Sequence, residues 1–444
     1  MVREGYKKTD FGEIPEEWKV VRIGDILSEV IEPIRMRDDD IYRLISIRRR
    51  NGGLFERTRL PGKKILTKDL QRVIPGTFII ANRQIVHGAC AYVTEDYADA
   101  AVSSAYTLLK GRENCDIRYF SLLAKTPLMY KYFLQASQGV VLEKMNFHLQ
   151  EWLNLPIPLP PIIEQRRISA ILSSLDEMIE KIEALINKLV QVKIGVMQDL
   201  FTKGIDECGR IRSEATHAFK DSPLGRIPVE WECPLIGDIY SELTTGSTPS
   251  RDRPDYFCGD ILWVTSGELK YEIIRDTKEK ITQEAVEDTH LRLYEPGTFF
   301  IAITGLEAED TLGSCAIIGK YATTNQSCMA FPENIRIHTA YLFQYYRYFG
   351  KYLIYRYAQG TKQQSLNSNI VKAIPIKVPP KQEQIVIAEN LTVIDDNIRG
   401  LRDEKIKSKM LRNGLMADLL MGRVRVRVGM PDDVVGLNLS ATTS

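Results

Sequence analysis

Two stretches of the chain carry apolar residues at alternating steps of four and three. In the first, Ile168, Leu172, Leu175, Ile179, Ile182, Ile186, Leu189, Val196 and Leu200 form a stripe interrupted only by Lys193. In the second, the equivalent positions are Ile387, Leu391, Ile394, Ile398, Leu401, Lys405, Ser408, Arg412, Leu415 and Leu419, apolar at both ends and polar in the middle. This spacing is the seam of a coiled coil. Each stretch begins after a Pro-Pro pair, Pro160-Pro161 or Pro379-Pro380, and ends at Gly204 or Gly422. Proline fits the first helical turn but disfavours helix before it, and glycine accepts the left-handed residue that closes a helix. The first seam, from Ile168 to Leu200, makes a helix of about 50 Å, longer than a typical domain is wide. Two such helices pack most economically on each other, here expected antiparallel, with the polar stretch Lys405 to Arg412 facing solvent or awaiting a partner.

Elsewhere the patterns are short. Phe78–Ala81, Cys90–Val93, Ile261–Val264 and Phe299–Ala302 read as strands, and Ile117 to Leu134 and Thr339 to Tyr357 as helices. They belong to a tandem repeat. Gly12-Glu-Ile14-Pro15-Glu-Glu17-Trp18 recurs as Gly225-Arg-Ile227-Pro228-Val-Glu230-Trp231, and Ile23-Gly24-Asp25-Ile26 as Ile236-Gly237-Asp238-Ile239. Pro75-Gly76-Thr77-Phe78 returns as Pro296-Gly297-Thr298-Phe299, Gly88-Ala-Cys90-Ala91 as Gly313-Ser-Cys315-Ala316, and Pro160-Pro161 with Glu164-Gln165 as Pro379-Pro380 with Glu383-Gln384. Motifs kept in one order define a duplicated unit. The expected fold is α+β: two similar mixed α/β domains separated by two long antiparallel coiled-coil helices. The boundaries read 1–162 and 206–378 for the domains, 163–205 and 379–426 for the helices, and 427–444 for a flexible tail.

Composition adds exclusions. No apolar run among the 444 residues approaches the ~20 needed to span a bilayer, and the charged N-terminus, with Arg3, Glu4, Lys7, Lys8 and Asp10, lacks the apolar core of a secretory signal. A cytoplasmic protein is expected. The seven cysteines, with no Cys-x-x-Cys pair, read as reduced structural thiols, and no metal site is expected. Phosphate-loop, dinucleotide-binding, zinc-protease and serine-hydrolase motifs are absent, as is the Asn/Asp-Pro-Pro-Tyr of amino-methyltransferases, and the five histidines are scattered. No catalytic residue is assigned.

A net charge of +1 leaves any nucleic-acid affinity to local patches. From Arg35 to Arg83 thirteen Arg/Lys face five Asp/Glu. Arg48, Arg49 and Arg50 lead into an Asn51-Gly52 turn, followed by Arg57, Arg59, Lys63 and Lys64, with Arg83 at the end. Arginine at a strand end and turn can neutralise phosphates or read guanine; the competing reading is a solvated charged face. From Asn334 to Gln382 no acid occurs, while basic residues interleave with tyrosines, some of which must be core. Two polar, turn-rich stretches are further candidates for base reading, with Thr248, Ser250 and Arg251 in one and Lys362, Gln363 and Gln364 in the other.

The repeated Gly-x-Ile-Pro-x-x-Trp openings, the Pro-Pro-x-x-Glu-Gln helix starts, and the linker from Phe201-Thr-Lys203-Gly204 to Phe219-Lys-Asp-Ser222-Pro-Leu-Gly225 resemble the specificity subunits of type I restriction-modification systems, to about Val426. Thr245-Gly246-Ser-Thr248-Pro249-Ser250-Arg251, with Tyr256-Phe257 and Trp263-Val264, looks like the start of a target-recognition domain of that family. The resemblance implies that each domain reads one half of a bipartite, asymmetric site in double-stranded DNA. It also implies that the helices set the gap and dock two modification subunits, which use S-adenosylmethionine, while restriction subunits add ATP- and Mg-dependent translocation and cleavage. No cofactor is expected on this chain. The alternatives are a recognition subunit of another restriction or methylation system, or a repeat scaffold that binds only protein.

Overall fold

The computed structural model describes residues 2–139, 141, 145–304, 313–357 and 365–426, so the expected tail at 427–444 lies outside the described residues. The chain divides into two compact units. Unit 1 takes the chain up to Glu183 and again from Glu404 onward; unit 2 is Ala184–Asp403.

In unit 1 the two four-stranded sheets are built from β1 (Leu27–Val30), β2 (Ile41–Ile47), β3 (Leu54–Pro61), β4 (Leu70–Arg72), β5 (Phe78–Ala81), β6 (Cys90–Tyr92), β7 (Ala100–Ser103) and β8 (Tyr106–Gly111). They form sheets ordered β1-β8-β5-β6 and β3-β2-β7-β4, with β2 and β7 parallel. Unit 2 has β9 (Thr244–Thr245), β10 (Ile261–Val264), β11 (Ile273–Ile274), β12 (Lys280–Ile281), β13 (Phe299–Ala302), β14 (Cys315–Ile318), β15 (Ala322–Thr324) and β16 (Cys328–Phe331). Their orders are β9-β16-β13-β14-β11 and β12-β10-β15, with β10 and β15 parallel. The sequence repeat is therefore a repeat of topology: β1-β8-β5-β6 matches β9-β16-β13-β14, and β3-β2-β7 matches β12-β10-β15.

Phe78, Ile79 and Ile80 read as an unbroken apolar run because both faces of β5 are covered. Phe78 and Ile80 pack under the helices and Ile79 against the second sheet. Phe299 and Ile301 divide from Phe300 and Ala302 in the same way. The helix expected over Ile117 to Leu134 is two, α1 (Ile117–Leu123) and α2 (Pro127–Gln135). Proline removes the amide a continuous helix needs, and Thr126 caps the new start by accepting from Met129 N. The second expected helix is intact as α4 (Thr339–Tyr357), between the long helices α3 (Ile162–Thr202) and α5 (Lys381–Leu420).

The long helices start immediately after the proline pairs. Ile168, Leu172, Leu175, Ile179, Ile182, Ile186, Ile387, Leu391 and Ile398 are buried, and Leu189, Ile394, Leu401 and Leu415 are half-buried. Within unit 1, Asp176 pairs with Arg412 at 2.9 Å and Glu183 with Lys405 at 2.8 Å. One helix advances as the other retreats, so they are antiparallel. The polar stretch of the second seam thus faces the first helix, rather than solvent or an outside partner.

The repeat motifs form a lock in each unit. In unit 1 the indole of Trp18 donates to Glu164 at 3.1 Å, and Arg425 donates to the same carboxylate at 2.9 Å. In unit 2 Trp231 donates to Glu383 at 3.1 Å and Arg212 at 2.6 Å. The neighbouring glutamines, Gln165 and Gln384, each donate to two backbone carbonyls and accept one amide, joining the helix start to the domain. The lock explains why the opening motif and the Glu-Gln recur together: a buried carboxylate is tolerable only when paired and hydrogen-bonded.

Candidate nucleic-acid interface

Strands β2 and β3 are one hairpin whose tip carries the arginine run. Arg48, Arg49 and Arg50 are all exposed. Arg50 and Asn51 both adopt φ of +56°, a left-handed conformation uncommon outside glycine. The tip is tied down at both residues: Arg50 N donates to His87 O at 2.7 Å and Asn51 N to Gly88 O at 2.9 Å. Arg48 lies over the ring of Phe55 at 4.7 Å. The Nε of Arg49 donates to Gln84 Oε1 at 3.3 Å. Arg83 is next to that glutamine in sequence and is exposed.

The basic segment sorts into two groups. Arg43 is paired with Glu56 and Asp99, Arg59 with Glu56, Lys63 with Asp39 and Arg72 with Glu32. Those carboxylates hold the Arg43 and Arg59 guanidiniums in their charged form even more firmly than usual. By contrast Arg48, Arg49, Arg50, Arg57, Lys64 and Arg83 have no carboxylate partner among the described residues. Arg49, Arg50, Asn51, His87, Gly88 and Tyr130 surround an open cleft of about 320 Å³. Arg57 and Lys64 line another, of about 310 Å³. Gln84, His87 and Tyr130 were not legible as part of this surface, because only the fold brings residues 84–88 under the tip.

Unit 2 is built differently. Arg251 forks onto Glu279 at 2.6 and 2.9 Å and stacks over Phe257 at 4.3 Å. Its guanidinium holds a loop together instead of standing free. Thr248 donates to Gln326 at 2.8 Å, and Ser250 accepts from Asp252 N. Lys362, Gln363 and Gln364 lie outside the described residues. The acid-free stretch has a largely structural use: Arg336 pairs with Glu232, Arg347 with Asp395, and the buried Lys377 donates to Phe201 O. Its Tyr341, Tyr345 and Tyr346 are core, and burial pushes their hydroxyls well up. Among the described residues no cluster of His, Cys, Asp and Glu could hold a metal ion, and no helix is long and apolar enough to cross a membrane.

The family model described as "Type I restriction modification DNA specificity domain" matches the chain twice, over residues 15–191 and 228–408. The type I restriction enzyme MjaVIII specificity subunit of Methanocaldococcus jannaschii is 25% identical over 457 residues, spanning 96% of this chain and 99% of that protein. The MjaIX specificity subunit of the same organism is 30% identical over 205 residues, 44% of this chain and 46% of the relative. Among solved structures, the type I restriction-modification S subunit from M. genitalium has a TM-score of 0.54 at 14% identity, covering 90% of this chain and 96% of that one. A chain from a structural study of complex assembly and conformational transition in a type I system has a TM-score of 0.52 at 18% identity, covering 93% and 99%.

Proposed function

The chain belongs to the family of type I restriction-modification DNA specificity subunits, and from that premise we propose how its parts divide the work. Each unit reads one half of a bipartite, asymmetric DNA site. The long helices set the gap between the halves and dock two modification subunits. The observation that carries this reading is the double match of the family model on two units of the same strand order. Docking on the helices is supported by apolar side chains left in water there: Met178, Met410 and Leu411 in unit 1, and Leu185 and Val192 in unit 2. Methyl transfer from S-adenosylmethionine to adenine, and ATP- and Mg-driven translocation and cleavage, are then the work of partner subunits in the cytoplasm, with this chain supplying sequence choice.

The test is an exchange of residues 20–155 for the same region of a relative, in a complex with its modification subunits. Mapping methylated adenines should show one half-site replaced, with the other half-site and the gap unchanged, because α3 and α5 are untouched. Simultaneous change of both half-sites would overturn the modular reading.

A further inference from the structure

The hairpin tip of unit 1 carries a more specific assignment. Arg48, Arg49 and Arg50 lie on it, and the exposed Arg83 precedes Gln84 in sequence; none of the four has a carboxylate partner among the described residues, in a protein where acids and bases nearly balance. By contrast Arg43, Arg59 and Arg72 of the same segment are neutralised by carboxylates. Like charges crowded without counter-charge repel one another, an arrangement that favours an anionic ligand.

Two features distinguish a base reader from a general phosphate patch. The first is rigidity. The left-handed Arg50 and Asn51 are fixed by their amides to the 87–88 backbone, and a side chain at Gly88 (φ +71°) would sit within 3.3 Å of Asn51. Base reading needs donors held in place, whereas phosphate neutralisation tolerates mobile ones. The second is how the groups are engaged. Gln84 occupies the Nε of Arg49, which leaves the two terminal nitrogens as an end-on fork, the geometry that matches O6 and N7 of guanine. His87 lines the same cleft as Arg49 and Arg50.

We propose that Arg49, oriented by Gln84, reads a guanine in the major groove of the half-site bound by unit 1, and that Arg48 and Arg83 hold the flanking phosphates. The assignment rests on the family reading above. Arg48, stacked on Phe55, keeps its charge in a fixed place without pointing a free fork at a base edge.

The experiment uses the chain assembled with its modification subunits and a library randomised in both half-sites, read as methylated motifs. Arg49→Lys keeps the charge and removes the fork. It should reduce discrimination at one G·C pair by about 10- to 100-fold, leaving the other half-site as the internal control for folding. Gln84→Leu should relax the same pair. Arg48→Ala should weaken all sequences alike and lower the salt slope of binding by about 1. Unchanged discrimination in Arg49→Lys, or a uniform loss like that of Arg48→Ala, overturns the guanine assignment while leaving the family reading intact. A wild-type complex that marks no bipartite site overturns the family reading itself.

Discussion

Glu164 in unit 1 and Glu383 in unit 2 occupy equivalent places, each accepting an indole N–H and an arginine. Their arginines differ. The side chain of Arg212 is 9% exposed, while that of Arg425 is 29% exposed and also pairs with Glu17. The same contrast recurs one layer further in. Arg347, Asp395 and Lys193 of unit 2 form a compact network in which one carboxylate accepts from both cations and from Gln344. At the equivalent repeat positions of unit 1, Arg412 forks onto Asp176, and Lys125 has no carboxylate within ion-pair distance among the described residues. The duplicated frame keeps its buried charges, but unit 2 ties them more tightly. The proposed reading surfaces diverge in another sense: unit 1 offers guanidiniums without carboxylate partners among the described residues and unit 2 clamps Arg251 to Glu279. A recognition protein gains from this arrangement, since a rigid shared frame lets surface residues change without loss of fold.

The largest effect expected is on the locks. Arg212→Ala strands a nearly buried carboxylate, and unit 2 should lose about 3–5 kcal/mol of stability. Arg425→Ala should cost unit 1 less, about 1–3 kcal/mol, because water reaches the opened site. Urea unfolding followed by hydrogen exchange in each unit separates the two. Equal losses would show that exposure of the arginine does not decide the cost.

A smaller and opposite-signed pair of effects is expected at the next layer. Arg347→Met removes hydrogen bonds to Asp395 and should destabilise unit 2 by about 1–3 kcal/mol. Lys125→Met should be neutral or slightly stabilising, since burial, with Arg412 nearby, already lowers its tendency to carry charge. The pH dependence follows from the same shifts. Burial pushes the Asp395 carboxyl up, but hydrogen bonds from Lys193, Gln344 and Arg347 outweigh it and hold it below the ordinary value. Its folded pKa is thus depressed, so its contribution is present above about pH 4 and lost as pH falls through the folded value. Lys125 is depressed in the other charge sense, so its own contribution to unit 1 becomes more favourable as pH rises toward about 10, and Lys125→Met should remove that contribution. A pH profile in which Arg347→Met behaves like Lys125→Met would break the distinction between the units.

The frame was legible in the sequence wherever a local rule governs it. The seven-residue seam, the proline starts and the repeated motifs each act over a few residues, and Ile168, Leu172, Ile387 and Leu391 are buried as the seam requires. What escaped was long-range pairing. Nothing near Arg251 in sequence announces Glu279, and nothing near Glu164 announces Arg425, 261 positions away. Charge counting therefore over-read the basic stretch of unit 2, where Arg347 and Lys377 are structural. It also could not separate Arg49 from Arg43, because only the fold supplies carboxylates to Arg43.

The smallest effect, one that leaves stability unchanged, distinguishes the units by their thiols. Unit 1 contains Cys90 and Cys115, both buried, and burial pushes each thiol up to about 12. Unit 2 contains the other five. Of these, Cys315 and Cys328 are buried with raised thiols, Cys233 is half-buried with its thiol raised by burial, and Cys208 and Cys258 are exposed. Only the thiolate reacts, so access and proton affinity act in the same direction here. Brief alkylation of the native protein near pH 8, followed by peptide mapping, should mark Cys208 and Cys258, leave both unit 1 cysteines unmodified, and modify Cys233 slowly. The tightly bound frame of unit 2 makes a second expectation. In Arg212→Ala, Cys315 and Cys328 should become reactive at urea concentrations where Cys90 and Cys115 remain protected, because only unit 2 has been weakened. If Cys90 and Cys115 became reactive at the same concentration, the two units would be opening as one, and the separate accounting of their locks would fail.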